Sequence, residues 1–557
     1  MTLAKLYRLA FFVIVMSYAL FFSRFGFENW DTGFVPAQSW RVANGEQAFR
    51  DFWSVRPPVS AYFHGFIVWL LPEYAQVYVV RIIGYLLFAL QVFFVVDGLD
   101  KIFVLERYKI SKWGAMLISF ILASGSIYPD PWFTIDGILF ASAAFFVMVR
   151  FGKKCWWPFA AAALLCLLSA GSKQSFYFIP IVFGLWAAVQ FGWKKFACFT
   201  ISLICLSALA LVVLTSGTNL SNVLYQISGT GNSSDFVNLG FLSYINVFGT
   251  KLVWIGLGFL ALAFASFHSK KRIPDFGSVM KWLAIATFLS ALAAVPVFGF
   301  NTASTIALVA VIFAFSRKTG FHKDRITDYF PILILVTIAW CAGLSKGFPF
   351  PVLFVHALAL SFFILMFDDF GFYRIKRLYF FVSIPIGVLL FFGNFSRYRD
   401  ADFTMLDQDL GSVSPKLALV KGSHQALEKL TELRDLRQKY KGKYVVAPSL
   451  PQAYYLFNDR NPLPADWLTT FELKDASGNF LQATPALVKH IFLERSFVKG
   501  EPFLHPKDKK DDFSVYANYI LKHLKPIGKT QHFLVYDASD LNKVFLKYPI
   551  STKAYTP

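Results

Sequence analysis

The sequence predicts a polytopic α-helical membrane protein of about 13 transmembrane helices that ends in an extracytoplasmic α/β domain. Three observations predict it. Only 16% of the 557 residues are charged and 56% are hydrophobic, with a mean hydropathy of +0.51; soluble domains usually carry about 25% charged residues. Apolar runs approaching the thickness of a bilayer recur from residue 5 to residue 393. From Asn394 onward charge becomes ordinary, and short helical and strand-like runs alternate. The boundaries that follow are 1–393 for the transmembrane domain, with 23–73 as its first outer loop, and 394–557 for the soluble domain.

Taken in order, the first span covers residues 5–22; it follows Lys5 and Arg8, lacks a small-residue cleavage site, and reads as a retained span. Span two is 74–96, span three 113–127, and span four follows the turn Tyr128-Pro129-Asp130-Pro131 and ends at Arg150. Span five reaches Ala170, the turn at Gly171–Gln174 leads into span six, and span seven is 196–215. A Gly/Ser/Asn-rich loop at 216–238 precedes span eight, which ends before Lys270. Spans nine and ten (281–298 and 302–316), eleven (328–343), twelve (351–367) and thirteen (378–393) complete the series. In the tail, a helix is expected from Pro415 to Tyr440, strands at KYVVAPS, HIFLERSF and HFLVYD, and helices at PQAYYLF and SVYANYILKHLK.

Charge orients this arrangement. The formal net charge is +20, and with the N-terminus cytoplasmic the basic clusters at 101–112, 150–154, 194–195, 270–272, 317–325 and 374–377 all face the cytoplasm. That is the positive-inside pattern, so the excess charge does not indicate nucleic acid as a partner. The expected location is a bacterial inner (plasma) membrane, multi-pass, with the tail periplasmic. The five cysteines (Cys155, Cys166, Cys198, Cys205, Cys341) lie in or beside apolar runs without ligand spacing and read as small hydrophobes.

The segment 23–73 breaks the apolar pattern. It carries Glu28, Asp31, Glu46, Arg50, Asp51, Arg56 and His64 among Trp30, Phe34, Trp40, Phe49, Phe52 and Trp53. Such a segment is too greasy for a solvated tether and reads as a folded loop at the membrane face, its acids aimed into a cavity. Together with Asp130, Lys173 and Lys346 it gathers acids and cations on one non-cytoplasmic face. Group transfer from a lipid phosphate needs that combination: a carboxylate to take a proton from an acceptor hydroxyl, and cations to offset charge developing on the departing phosphate.

Asp31, in Trp30-Asp31-Thr32-Gly33, is the first choice for the base, with Glu28 its nearest rival. Arg56 precedes the stiff Pro57-Pro58 and suits a fixed phosphate contact, as an alternative to snorkelling toward headgroups. Asp130 lies between prolines at the start of span four and fits a helix cap, a metal or sugar contact, or a second catalytic acid. Asp136, deeper in the same span, is costly unless paired. Lys173, with Gln174, and Lys346 stand at outer span ends, where basic residues are disfavoured, and so join Arg56 as phosphate ligands. Asp51 and His64 are supporting candidates. The histidines form no close cluster, and no cofactor is required; a divalent metal near Asp31 and Asp130 is admissible, but no spacing demands one.

The acidic first loop, Arg56-Pro57-Pro58, Lys173-Gln174 and the many-spanned body resemble bacterial members of glycosyltransferase family 39, a group similar to protein O-mannosyltransferases and to aminoarabinose transferases of the GT-C fold. Gly45, Phe49-Arg50-Asp51-Phe52, Pro57-Pro58 and Tyr62 follow the family's loop pattern, and Arg56 stands where the aminoarabinose enzymes place a phosphate-contacting lysine. Tyr128-Pro129-Asp130 takes the place of a second outer-loop acid; Ser345–Pro349, Tyr454-Tyr455-Leu456 and Asn461-Pro462 are similar to stretches in such members. Thr32 departs from the family, since a second acid usually follows the first. The resemblance implies a GT-C fold and an inverting transfer of a sugar from a polyprenyl-phosphate donor to a lipid, glycan or protein hydroxyl on the periplasmic face. Two other readings stay open: a surface-polysaccharide polymerase or ligase, and a transporter or flippase of a lipid-linked sugar. The second should show internal repeats or broken spans, and no clear repeat is evident.

Overall fold

The computed structural model describes residues 3–27, 31–108, 110–124, 130–228, 323–344, 360–361, 388, 399–473, 476–496 and 514–548. The chain is polytopic and largely helical, with a mixed α/β region at its C-terminal end. In order come α1 (Leu3–Phe22), α2 (Asp31–Ala43), α3 (Val59–Leu70), α4 (Gln76–Phe103), α5 (Lys112–Ser124), α6 (Phe133–Phe151), α7 (Trp157–Ala170), α8 (Phe178–Trp186), α9 (Trp193–Leu214), α10 (Leu220–Ile227) and α11 (Lys323–Gly343).

Where the sequence predicts about thirteen spans, five helical segments among the described residues are long and apolar enough to cross a membrane: α1, α4, α6, Gln174–Phe191 and α9. The third and fifth expected spans are the shorter apolar helices α5 and α7, and the eleventh is the apolar end of α11. A hydrocarbon core asks for about 20 helical residues, and Cys155–Trp156 before α7 and Gly171–Lys173 after it hold that helix below this length. The expected spans eight, nine, ten, twelve and thirteen lie outside the described residues.

Two polar clusters mark the ends of α4. Near its start Arg81 pairs with Asp130, just ahead of α6. Near its end Asp97 takes Lys112 at 2.6 Å and Arg150 at 4.0 Å. The sixteen helical steps from Arg81 to Asp97 span about 24 Å. Between the clusters the helices share one apolar core that includes Phe11, Phe88, Phe120, Phe145, Trp186 and Ile338.

The first loop is more regular than its composition suggests. Its Trp-, Gly- and Pro-containing start forms α2 with Pro36 inside the helix, and Val59–Leu70 forms α3 directly after Pro57-Pro58. One face of α3 buries Ser60, His64 and Val68, while Phe66, Trp69 and Leu70 stay exposed.

The C-terminal region holds strands β1 (Gln408–Asp409), β2 (Lys421–Gly422), β3 (Tyr444–Ala447), β4 (His490–Glu494), β5 (Gly528–Lys529) and β6 (Phe533–Asp537). The last four form one sheet in the order β3-β4-β6-β5, parallel between β3 and β4 and antiparallel elsewhere. β4 is buried along its whole length, as its nearly unbroken apolar run requires of a central strand covered on both faces. Helices α12 (His424–Lys439), α13 (Ala453–Phe457), α14 (Ser477–Leu487), α15 (Val515–His523) and α16 (Asp540–Lys547) accompany it. The helix expected from Pro415 begins only at His424. Ser423 caps it, its hydroxyl accepting from the Ala426 amide at 3.2 Å, while Leu419 takes a positive φ and Lys421–Gly422 pairs as β2.

Candidate functional site

The C-terminal region rests directly on the first loop. Arg41 of α2, buried, donates from Nε to both oxygens of Asp466 at 2.8 and 3.0 Å and from Nη1 to Glu46 at 2.6 Å. Burial works against its charge, and Asp466 with Glu46 more than offsets that effect. Trp53 donates from its amide to Pro464 O and from its indole to Glu472 O, both at 2.7 Å. Trp53 and Val55 thereby join the apolar core beneath the β3–β4 sheet.

Under this contact, the residues from Asp130 to Asp136 at the start of α6 act as a hub. Asp130, buried, accepts from Arg81 Nε at 3.2 Å on one oxygen and from Arg399 Nη1 on the other. The Arg56 guanidinium lies 4.9 Å from the Phe34 ring centre and 5.0 Å from that of Phe133, with Nη1 2.7 Å from Glu472 Oε1. Lys173 Nζ donates to Thr134 Oγ1 at 3.1 Å. His64 Nε2 lies 3.0 and 3.1 Å from the two oxygens of Asp136, and both side chains are buried.

Close packing keeps these partners in place. A Cβ on Gly137 would fall 2.6 Å from Phe176, so the glycine lets the Gln174–Tyr177 turn lie against α6. The Gln174 side chain donates from Nε2 to Val55 O and to Ile227 O, fastening the segment ahead of Pro57-Pro58. A Cβ on Gly33 would meet Gln452 at 2.9 Å, so α2 also sits tightly under the C-terminal region.

The sequence-predicted residues divide accordingly. Arg56, His64, Asp130, Asp136 and Lys173 converge on the start of α6, and Gln174 sits one turn away. Asp51 stands apart, on the loop surface, where the hydrogen-bonded Arg50 guanidinium holds its carboxyl below the usual range. Asp31 opens α2, and its side chain lies outside the described residues, as do Glu28 and Lys346. Three partners escaped sequence reasoning: Arg81, Arg399 and Glu472. Arg81 carried a usable signal, because an arginine inside an apolar span is costly without an acid to meet it.

A cavity opens beside the hub, lined by Ser39, His64, Arg81, Asp130, Gln452 and Tyr455 among others. On two of these lining residues, His64 Nδ1 and Ser39 Oγ are buried and have no hydrogen-bond partner among the described residues. Among the described residues no three or more His, Cys, Asp or Glu side chains gather as metal ligands. Asp130, engaged by two guanidinium groups, does not fit that role. The lining sets the Arg81–Asp130 ion pair beside the polar side chains of Ser39, His64 and Gln452.

No family model matches the chain, and neither does any curated protein. Solved structures with which it shares an outline include the oligosaccharyltransferase of Archaeoglobus fulgidus in complex with zinc and sulfate. That likeness has 12% identity and a TM-score of 0.44, over 89% of this chain and 67% of the other. ArnT from Cupriavidus metallidurans bound to undecaprenyl phosphate aligns at 11% identity and a TM-score of 0.45, over 96% of this chain and 97% of that one. The archaeal oligosaccharyltransferase AglB, also from Archaeoglobus fulgidus, with an inhibitory peptide and a dolichol-phosphate, aligns at 12% and 0.43, over 89% and 70%. Likenesses at this level of overlap decide neither donor nor acceptor.

Proposed function

We propose that this chain is a membrane glycosyltransferase of the GT-C type, moving a sugar from a polyprenyl-phosphate donor to a hydroxyl acceptor on the periplasmic face, with inversion. The observation that carries this reading is the convergence of Lys173, Arg56, His64 and Asp130 on the first turns of α6, roofed by the C-terminal region. Cations beside a cavity at the end of a membrane-spanning helix suit a ligand whose phosphate lies at the bilayer surface and whose tail lies in lipid.

In this reading Asp31 takes the acceptor's hydroxyl proton as the acceptor oxygen bonds to the anomeric carbon. The bond from that carbon to the phosphate oxygen breaks, and its electron pair stays on the phosphate. Lys173, Arg56 and Lys346 offset the charge that arrives there. Arg56 is paired with Glu472 and reaches phosphate by sharing its guanidinium between them.

The test is transfer of radiolabelled sugar from a panel of polyprenyl-phosphate donors by the wild type and by Asp31→Asn, both checked for folding. Loss of a positioned base predicts a fall of about 10²-fold or more. A variant equal to the wild type removes Asp31 from the role and passes it to Glu28 or Asp130. Specific binding of the lipid without any transfer favours a flippase instead.

A further inference from the structure

The His64–Asp136 pair has a consequence beyond binding phosphate. Asp136 is 1% and His64 4% exposed, and among the described residues His64 is the partner shown for the Asp136 carboxylate. A buried carboxylate facing Nε2 selects the tautomer with hydrogen on Nε2. Nδ1 then carries the lone pair and is an acceptor only. Among the described residues it is buried without a partner, on a residue that lines the cavity, and a buried acceptor left unmet is destabilising. Ser39, on the facing helix α2, lines the same cavity with its own hydroxyl unmet.

We propose that His64 is a specificity-determining residue whose Nδ1 accepts a hydrogen bond from a hydroxyl of the donor sugar, and that Asp136 is its positioning residue. The assignment rests on the glycosyltransferase reading. Lys173 contacts α6 at Thr134 and Arg56 contacts it at Phe133, within one turn of Asp136. A sugar joined to a phosphate held by those cations would meet α6 close to Asp136 and the His64 ring bonded to it. No proton leaves the sugar in this interaction.

The experiment measures binding of short-chain prenyl-phosphate sugars to the detergent-solubilised full chain. Each parent donor is compared with a series of deoxy analogues, each lacking one hydroxyl. The wild type should bind one analogue about tenfold or more weakly than its parent, because that analogue leaves Nδ1 unmet. Two variants separate recognition from folding. His64→Gln puts its amide where Nε2 stands, so it keeps a donor for Asp136 while removing Nδ1. It should bind parent and analogue alike, near the wild type's affinity for the analogue. Asp136→Asn weakens control of the tautomer and should narrow the difference.

Equal loss of both ligands in His64→Gln, with the wild type's discrimination retained, overturns the proposal and leaves the transferase reading intact. So does a wild type that tolerates every deletion. Failure of every parent donor to bind overturns both, whereas discrimination by His64 without any transfer keeps the contact between Nδ1 and the sugar and moves the function toward a flippase of the lipid-linked sugar.

Discussion

At the scale of single residues, Asp130 shows how partners change a reading. A carboxylate between two prolines at the start of a span announces a fixed position, and the sequence supports a catalytic acid, a cap or a sugar contact equally well. The structure gives it two guanidinium partners, Arg81 and Arg399, at sequence separations of 49 and 269. Arg399 packs over Gly26, whose φ of +82° a side chain would strain and where a Cβ would fall 2.5 Å from the arginine. Removing the acid takes the carboxylate away from two buried cations, which typically costs about 3–5 kcal/mol. Asp130→Asn should therefore lower the thermal midpoint in detergent by several degrees and reduce transfer in proportion to folded protein. An unchanged midpoint with transfer abolished shows instead that the carboxylate acts on substrate. Asp136 was more legible: its depth in an apolar span demanded a partner, and His64 was already a candidate. Glu472 was not, because nothing local to it speaks of an arginine more than four hundred residues earlier.

At the scale of elements, apolar runs located α1, α6 and α9 to within about three residues and placed α4 while ending it seven residues short of Phe103, because a lipid-facing or core helix must be apolar over its length. It failed for α2, where Gly33 and Pro36 argue against a helix. That helix is held from outside, by Gln452 against Gly33 and by Asp466 on Arg41, and neither contact is visible locally. The start of α6 makes the element-scale prediction. Gly137→Val would drive a side chain into Phe176, itself fully buried, at a cost of about 1–3 kcal/mol for overpacking. The Gln174–Tyr177 turn must move, and Lys173 with it. Lower thermal stability and weaker donor binding should appear together. Gly184→Ala is the matching control: its nearest neighbour, Phe199, lies at an ordinary 3.5 Å, so midpoint and binding should both stay near wild type. If Gly137→Val is as benign as the control, the turn is not held by that contact.

At the scale of the whole molecule, the C-terminal region is part of the site's wall and not an appendage. Gly26 N donates to Lys421 O at 2.8 Å and Lys421 N to Arg24 O at 2.6 Å, so the tail pairs with the end of the first helix. Phe27, Val68 and Val80 share a core with Leu410, Leu417 and Leu430. Lys416 sits at this seam, its Nζ 3.7 Å from the Trp40 ring centre, 4.3 Å from that of Tyr455, and donating to Tyr455 O at 2.8 Å. Burial pushes this ammonium down to about 8, with Glu73 opposing the shift. An unfolded lysine titrates near 10.4, so between about pH 8 and pH 10 the unfolded chain holds a proton that the folded seam has released. Stability must then rise with pH across that window, and below it the cost of the buried charge is present in full. The wild type should gain thermal stability relative to Lys416→Met between pH 7 and pH 9.5, since the variant has no such proton to release. Identical pH dependence in the two proteins means that the ring faces hold the ammonium charged throughout. The seam is then a permanent cation clamp, and Lys416→Met should be the less stable protein at both pH values.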